Sequence, residues 1–222
     1  MFKKVLVAED IDSINIAVIQ ALNQLKVAHI DHVKYCDDAL LKIKKALNSG
    51  EPYDLFITDL SFEPDHREVI LASGDEAISH IRSLQPALKI IVYSIEDKGF
   101  KIKTLLDKYK VNAYVQKGRN SITQLNEAIL QLSQSDEVYL SSSVKHVLRD
   151  KSTREIDDFD VALIKQLAIG ITQDELEQRF KELGITPNSK SAIEKRLSKL
   201  KDHFRANNTV HLIAIAKDMG IA

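Results

Sequence analysis

A five-stranded, doubly wound parallel sheet followed by a small all-helical domain is the architecture this sequence predicts. Three observations predict it. Four short apolar runs, at 5–8, 55–58, 90–93 and 113–116, are near-continuously hydrophobic, as strands buried on both faces are. Helical stretches near 12–25, 37–49, 75–85, 98–109 and 120–133 separate those runs from one another and from a fifth near 28–34, and strict strand–helix alternation implies a parallel sheet with helices on both faces. From residue 159 onward the pattern is wholly helical, and 222 residues are ample for two domains of ordinary size.

The elements follow in order. Residues 1–133 hold the five strand–helix units, with right-handed crossovers as the default connection. Residues 134–157 are rich in serine, aspartate and charged residues and read as a linker. Tyr139-Leu140-Ser141 followed by Val144, Val147 and Leu148 suggests a short helix of about two turns within it. Residues 158–222 form the helical domain. There, Thr172 with Glu175 three residues on is a capping-box signal, Gly184 marks a stop, and Pro187 and Ser189 suit the start of a further helix. Asn207-Asn208 ends that helix and starts the next.

Bulk properties exclude several function classes. Hydrophobic residues make up 44% and charged residues 28%, the balance of a globular protein with real cores. No stretch is apolar enough to span a bilayer. Met1-Phe2-Lys3-Lys4 leads into only four apolar residues before Glu9, too few for a signal peptide, so a cytoplasmic protein is expected. The single cysteine, Cys36, excludes an internal disulfide framework, and the scattered histidines suggest no transition-metal site. A net charge of −1 excludes a polycation, yet the charge is sorted along the chain. Residues 155–182 carry eight acidic and three basic side chains, whereas 187–206 carry six basic and two acidic ones.

The strand ends carry the chemistry. The first run leads into Glu9-Asp10, the second into Asp59, the third into Ser94 and the fourth into Lys117. In an open parallel sheet, ligands bind outside the carboxyl ends of the strands. If these runs are neighbours, three carboxylates, a hydroxyl and an ammonium converge on one pocket. Such a set is able to hold a hard divalent cation, attack a phosphorus and neutralise phosphoryl oxygens.

At these residues the chain resembles a two-component response regulator, whose flavodoxin-like receiver domain would span roughly 1–130. The resemblance implies that Glu9 and Asp10 form the acidic pair, Asp59 is the phosphoacceptor, Ser94 the switch hydroxyl, Tyr114 the switch aromatic and Lys117 the active lysine. It also implies magnesium, held by Glu9, Asp10, Asp59 and a backbone carbonyl near Ser61. A partner histidine kinase would be the phosphodonor. On phosphorylation, Ser94 would swing toward the phosphoryl group and Tyr114 would turn inward, changing the surface near the helix at 98–109 and the last strand. Asn112 stands where the family usually has glycine, and asparagine tolerates a left-handed helix exit. The segment 61–74 is longer and more charged than the family's loop. It is either a tolerated insertion or a cover over the pocket in which His66 or Arg67 tunes phosphodonor access.

In the second domain, Ile193, Leu197, Leu200 and Phe204 share one helical face and bury it, so Ser191, Lys195, Ser198, Lys199 and Asp202 fall opposite. A short helix, a turn and a second basic helix make a helix-turn-helix. Exposed lysines are common on solvated faces, so the helix alone leaves both readings open. The stretch 189–200, with 208–217 and Gly220-Ile221, resembles the NarL/LuxR-type DNA-binding domain. That resemblance implies double-stranded DNA as a partner, with Lys190, Ser191, Glu194, Lys195, Ser198 and Lys199 at the interface, and a homodimer reading two half-sites. Glu194 departs from the family's usual basic residue, and a carboxylate is able to accept from cytosine N4. The segment between Leu176 and Ile193 is several residues longer than the family's.

The function expected is a phosphorylation-controlled, DNA-binding transcription regulator. The alternative is a regulator that uses its receiver only for dimerisation or interaction. An enzyme of the haloacid dehalogenase type needs an aspartate two residues after its nucleophile as general acid. That position is Ser61, so no enzymatic turnover is expected.

Overall fold

The computed structural model describes residues 1–63, 69–148 and 156–222, so the expectations for His66 and Arg67, and for the linker at 149–155, lie outside the described residues. Its described contacts divide the chain into two compact units, Met1–Asp97 with Thr104–Lys145, and Lys98–Lys103 with His146–Ala222. No described helix is long and apolar enough to cross a membrane.

The first unit alternates strand and helix as the periodicity predicts. In chain order the residues from 4 to 147, which include the start of α4 and the end of α6 that group with the second unit, run β1 (Lys4–Ala8), α1 (Asp12–Gln24), β2 (His29–Val33), α2 (Cys36–Asn48), β3 (Leu55–Thr58), α3 (Gly74–Leu84), β4 (Lys89–Ser94), α4 (Gly99–Asp107), β5 (Ala113–Gln116), α5 (Ser121–Leu132), β6 (Tyr139–Leu140) and α6 (Ser142–Val147). All strand pairs are parallel, in the order β2-β1-β3-β4-β5-β6. The chain therefore moves from the centre to one edge and then reverses, which opens a crevice at the carboxyl ends of β1 and β3.

Two-residue periodicity assigns the side chains to faces. Val5, Val7, Leu55, Ile57, Ile91, Tyr93, Ala113 and Val115 form one core with Val18 and Leu22 of α1 and Leu125, Ala128 and Ile129 of α5. The alternate residues Leu6, Phe56, Ile90, Val92 and Tyr114 are also buried, on the opposite face. Both faces are covered, which is why the runs carry no polar alternation. Cys36, at the start of α2, is buried, and that burial pushes its thiol up to about 12. A thiol so protonated is a small hydrophobe and not a nucleophile.

Two expectations need correction. The sheet has six strands, not five. Tyr139-Leu140, read as part of a linker helix, pairs with Ala113 and Tyr114, and only Ser142–Val147 is helical. The tertiary pairing wins because β5 would otherwise present an unpaired edge. Ser141 completes the cover, its N–H donating to the Tyr114 carbonyl at 3.0 Å and its Oγ accepting from the Gln116 N–H at 3.2 Å. The second correction concerns Asn112. The left-handed residue after α4 is Lys110, at φ 52°, while the Asn112 side chain accepts the Ile90 N–H at 3.0 Å. Asparagine is used there for its amide oxygen.

The helical unit contains α7 (Asp158–Ala168), α8 (Leu176–Glu182), α9 (Lys190–His203) and α10 (Thr209–Asp218). Leu163, Ile164, Leu167, Leu176, Phe180, Ile193, Leu197, Leu200, Leu212 and Ala216 meet in its core. Gly184, at φ +65°, follows α8 as the stop signal predicted. The Thr172–Glu175 pair forms half of a capping box. Glu175 accepts from the Thr172 N–H at 2.9 Å and from its hydroxyl at 2.7 Å, and regular helix starts only at Leu176. A reciprocal capping box occurs instead at the head of α7, between Asp157 and Asp160.

Candidate functional site

The four strand ends converge as their neighbour relations require. Ladder-type backbone bonds continue past each strand into the site. Asp59 N–H donates to the Ala8 carbonyl at 3.1 Å, and Lys117 N–H donates to the Ser94 carbonyl at 2.7 Å. Glu9, Asp59 and Ser94 are buried although polar. Lys117 Nζ bridges the two carboxylates, 2.7 Å from Glu9 Oε2 and 2.6 Å from Asp59 Oδ2. The Lys117 side chain is only 7% exposed, so these contacts are charge-assisted bonds in a poorly solvated setting. The ammonium also lies 5.4 Å from the centre of the Tyr93 ring.

Electrostatics set the protonation states. Burial raises the Glu9 carboxyl above its ordinary value despite the neighbouring ammonium, and the Asp59 charge raises it further. Burial pulls the Lys117 ammonium down, but its bonds to Asp59 and Glu9 outweigh that and hold it above the usual lysine value. Asp59 Oδ1 accepts the Leu60 N–H at 2.6 Å, so both carboxylate oxygens have donors.

Sequence reasoning missed Gly74. A Cβ built there would lie 1.9 Å from the Asp59 carbonyl oxygen and 2.9 Å from both Asp59 C and Leu60 Cα. Its N–H donates to the Leu60 carbonyl at 3.0 Å. Its backbone is not left-handed. A glycine heading a helix reads as a turn residue, and nothing local signals so close an approach fifteen residues after Asp59.

Ser94 and Tyr114 stand differently from the expected resting arrangement. The Tyr114 ring is already fully buried, and its hydroxyl donates to the Glu96 carbonyl at 2.9 Å. Burial, with the Glu96 and Asp59 charges, raises the phenol far above its ordinary value. Ser94 Oγ lies 3.4 Å from the Glu96 N–H, so one short turn joins hydroxyl and aromatic. His32, which the sequence did not assign to the site, sets a ring nitrogen 2.9 Å from the Glu9 carbonyl oxygen.

The carboxylates fit a hard divalent cation in chemistry, being oxygen donors, two of them bonded to one buried ammonium. Their orientation is another matter. Asp10 Oδ2 accepts the Glu63 N–H at 2.7 Å, and among the described residues no three acidic, histidine or cysteine side chains are grouped to hold a metal. Ser61 pairs across to Ser73 in an antiparallel bridge, which holds its main chain next to Asp59.

In the helical unit, Lys190, Ser191, Glu194, Lys195, Ser198 and Lys199 are all exposed along α9, while Ile193, Leu197, Leu200 and Phe204 are buried. Lys190 is paired with Asp174 at 2.9 Å. Beside α9 runs an open groove of about 790 Å³ lined by Phe159, Pro187, Ala192, Lys195, Ser198 and Lys199. Arg196, counted among the basic residues of this segment, is turned to other work. Its guanidinium bonds Asp157 and Asp160, and Asp160 is 1% exposed. These bonds tie α9 to the head of α7 and raise the guanidinium further. Arg196→Ala would strand the buried Asp160 carboxylate. Discounted for the partly exposed guanidinium, the expected loss is roughly 2–4 kcal/mol, read by urea unfolding followed by helical circular dichroism. Unchanged unfolding would show that the brace contributes nothing.

Comparison with protein-family models finds no match, and comparison with curated proteins finds none. Solved structures do match. A structure of two RcsB dimers bound to two parallel DNAs is 19% identical, with a TM-score of 0.65 over 96% of each chain. RcsB from Salmonella enterica serovar Typhimurium, bound to promoter rprA in the presence of the phosphomimetic BeF3-, is 20% identical. Its TM-score is 0.62 over 95% of this chain and 96% of that one. The isolated REC domain of the Salmonella protein, also with BeF3-, is 22% identical, with a TM-score of 0.54 over 66% of this chain and 99% of its own. At these identities the likeness is one of fold: along nearly its whole length this chain shares the architecture of the RcsB structures, a six-stranded parallel α/β sheet followed by a helical unit.

Proposed function

We propose that the protein is a DNA-binding response regulator of a two-component system. A partner histidine kinase phosphorylates Asp59, and the C-terminal helices control transcription. The observation that carries this reading is the buried Glu9–Lys117–Asp59 bridge, with Ser94 at the end of β4 and Tyr114 buried on the neighbouring β5. RcsB structures of the same fold are described with DNA and with a phosphomimetic, which supports both halves of the reading.

An Asp59 oxygen attacks the phosphorus of a phosphohistidine. The O–P bond forms as the P–N bond breaks, and the leaving imidazole nitrogen keeps the electron pair. Lys117 keeps the site near neutral as phosphoryl charge arrives. Ser94, buried at the end of β4, offers a hydroxyl to a phosphoryl oxygen. Magnesium, when bound, supplies further neutralisation of those oxygens. Glu9, Asp10, Asp59 and the Ser61 carbonyl are the groups that would hold it. The protein is thus the substrate of phosphorylation and not a turnover enzyme. On α9, Lys195 and Lys199 serve phosphates, and Ser191, Glu194 and Ser198 face bases. A homodimer would bring two such helices to two half-sites.

The test is intact mass after incubation with magnesium and acetyl phosphate, next to Asp59→Asn. One added phosphoryl group in the parent alone is the expected result, with tighter DNA binding by the modified form. No addition to either, with DNA binding by the untreated protein, would favour a receiver that works without phosphate.

A further inference from the structure

The long segment after β3 is fastened at both ends by backbone amides bonded to carboxylates. On its return limb, Ile70 N–H and Leu71 N–H both donate to Asp37 at 3.0 Å, and Ala72 N–H donates to Glu76 at 2.8 Å. Leu71 is buried beneath these bonds. None of those acceptors belongs to the phosphorylation pocket. The outgoing limb is tied differently. Its Glu63 N–H donates to Asp10 Oδ2 at 2.7 Å, and Asp10 is a residue the cation reading needs.

We infer that the Glu63 main-chain amide is a positioning group for Asp10, and that it competes with a divalent cation for that carboxylate. The inference rests on the reading of Glu9, Asp10 and Asp59 as the cation site. Magnesium demands near-ideal octahedral geometry at about 2.0–2.1 Å from each oxygen. Asp10 Oδ2 is taken by the Glu63 amide, and among the described residues no three acidic, histidine or cysteine side chains are grouped for such a site. The side chain must therefore turn, and a charge-assisted bond to the amide must lengthen or break. Cation uptake and release of the outgoing limb become one equilibrium, while Asp37 and Glu76 hold the return limb in both states. Each process opposes the other by the same factor, as linkage requires. The Glu63 bond then has a consequence: it lowers the affinity of the site for its cation, and its own state reports cation occupancy.

Proline at 63 removes the amide donor, whereas alanine removes only the exposed carboxylate and keeps the amide. Magnesium would be titrated calorimetrically into the full-length parent, Glu63→Ala, Glu63→Pro and Asp10→Asn proteins. The expected result is that Glu63→Pro binds magnesium about tenfold more tightly than Glu63→Ala, and that Asp10→Asn loses most of the binding. Equal affinities for the two Glu63 variants, with loss in Asp10→Asn, would leave the cation site standing and overturn the competition. No magnesium uptake by the parent and Glu63→Pro alike would overturn the cation reading and the competition with it. A measurement on the unaltered protein guards against a misfolded proline variant. Amide exchange at Glu63, followed by nuclear magnetic resonance, should quicken on adding saturating magnesium while Ile70 and Leu71 keep their protection. Unchanged exchange at Glu63 in a magnesium-loaded protein would overturn the proposal.

Discussion

Gly74→Ala is expected to slow phosphoryl transfer to Asp59 by about a hundredfold or more while the sheet still folds. The added methyl would overlap the Asp59 carbonyl oxygen at 1.9 Å and press on Asp59 C and Leu60 Cα at 2.9 Å. All three are backbone atoms, so no flexible side chain is available to yield. Either Asp59 or the head of α3 must move. Overpacking of this kind costs about 1–3 kcal/mol, and an unyielding neighbour points to the upper end. The functional loss is larger, because a misplacement of about 1 Å at a reacting group is enough to cost ~100-fold in rate. The Lys117 contact at 2.6 Å and the Leu60 contact at 2.6 Å would both be disturbed by such a shift. A time course of intact mass with acetyl phosphate, alongside urea unfolding, reads both effects. Phosphorylation at the parent's rate would show that Gly74 does not position the acceptor.

Lys117→Met is expected to abolish phosphoryl uptake and to destabilise the first unit by about 3–5 kcal/mol at pH 7.5, since removing one partner strands buried charge. The loss should shrink on acidification. With Lys117 present, burial already holds Glu9 above the ordinary carboxylate value. Without Lys117 its two lowering influences vanish, and burial and the Asp59 charge remain to raise the carboxyl further, opposed only by the Ile11 N–H. A carboxyl whose folded value exceeds its unfolded one binds a proton more tightly when folded. Stability therefore rises as pH falls through the folded value, and the gain is complete below the unfolded value of 4.5. In the parent, the Lys117 ammonium sits above 10.5 and stays charged throughout this window. Urea unfolding of both proteins between pH 7.5 and 5 should thus show their stabilities converging. A constant or widening gap would mean that Glu9 is not the group that suffers.

Much of the first site is legible along the chain. Glu9, Asp59, Ser94 and Lys117 each follow a nearly continuous apolar run, and a run buried on both faces ends where the chain meets solvent or a site. What was misjudged depended on partners distant in sequence. Tyr139 and Leu140 are a strand because Ala113 and Tyr114 lie open beside them, a fact no local pattern contains. Arg196 looks like one more cation on a basic helix, yet two carboxylates about forty residues upstream take its guanidinium.

The sequence by itself determined the alternation of strand and helix, the amphipathic face of α9 and the chemistry waiting at the strand ends. These follow from periodicity and residue type, which act over one or two turns or a few strand residues. Tertiary structure alone decided that Lys117 bridges Glu9 and Asp59, that Asp10 turns to Glu63, that Tyr114 lies inward on Glu96 and that Gly74 must lack a side chain. The physical reason is common to all four. Each depends on an approach of a few ångströms between groups set by how whole elements pack, and hydrogen-bond and overlap energies change steeply over that distance, whereas hydrophobic patterning does not.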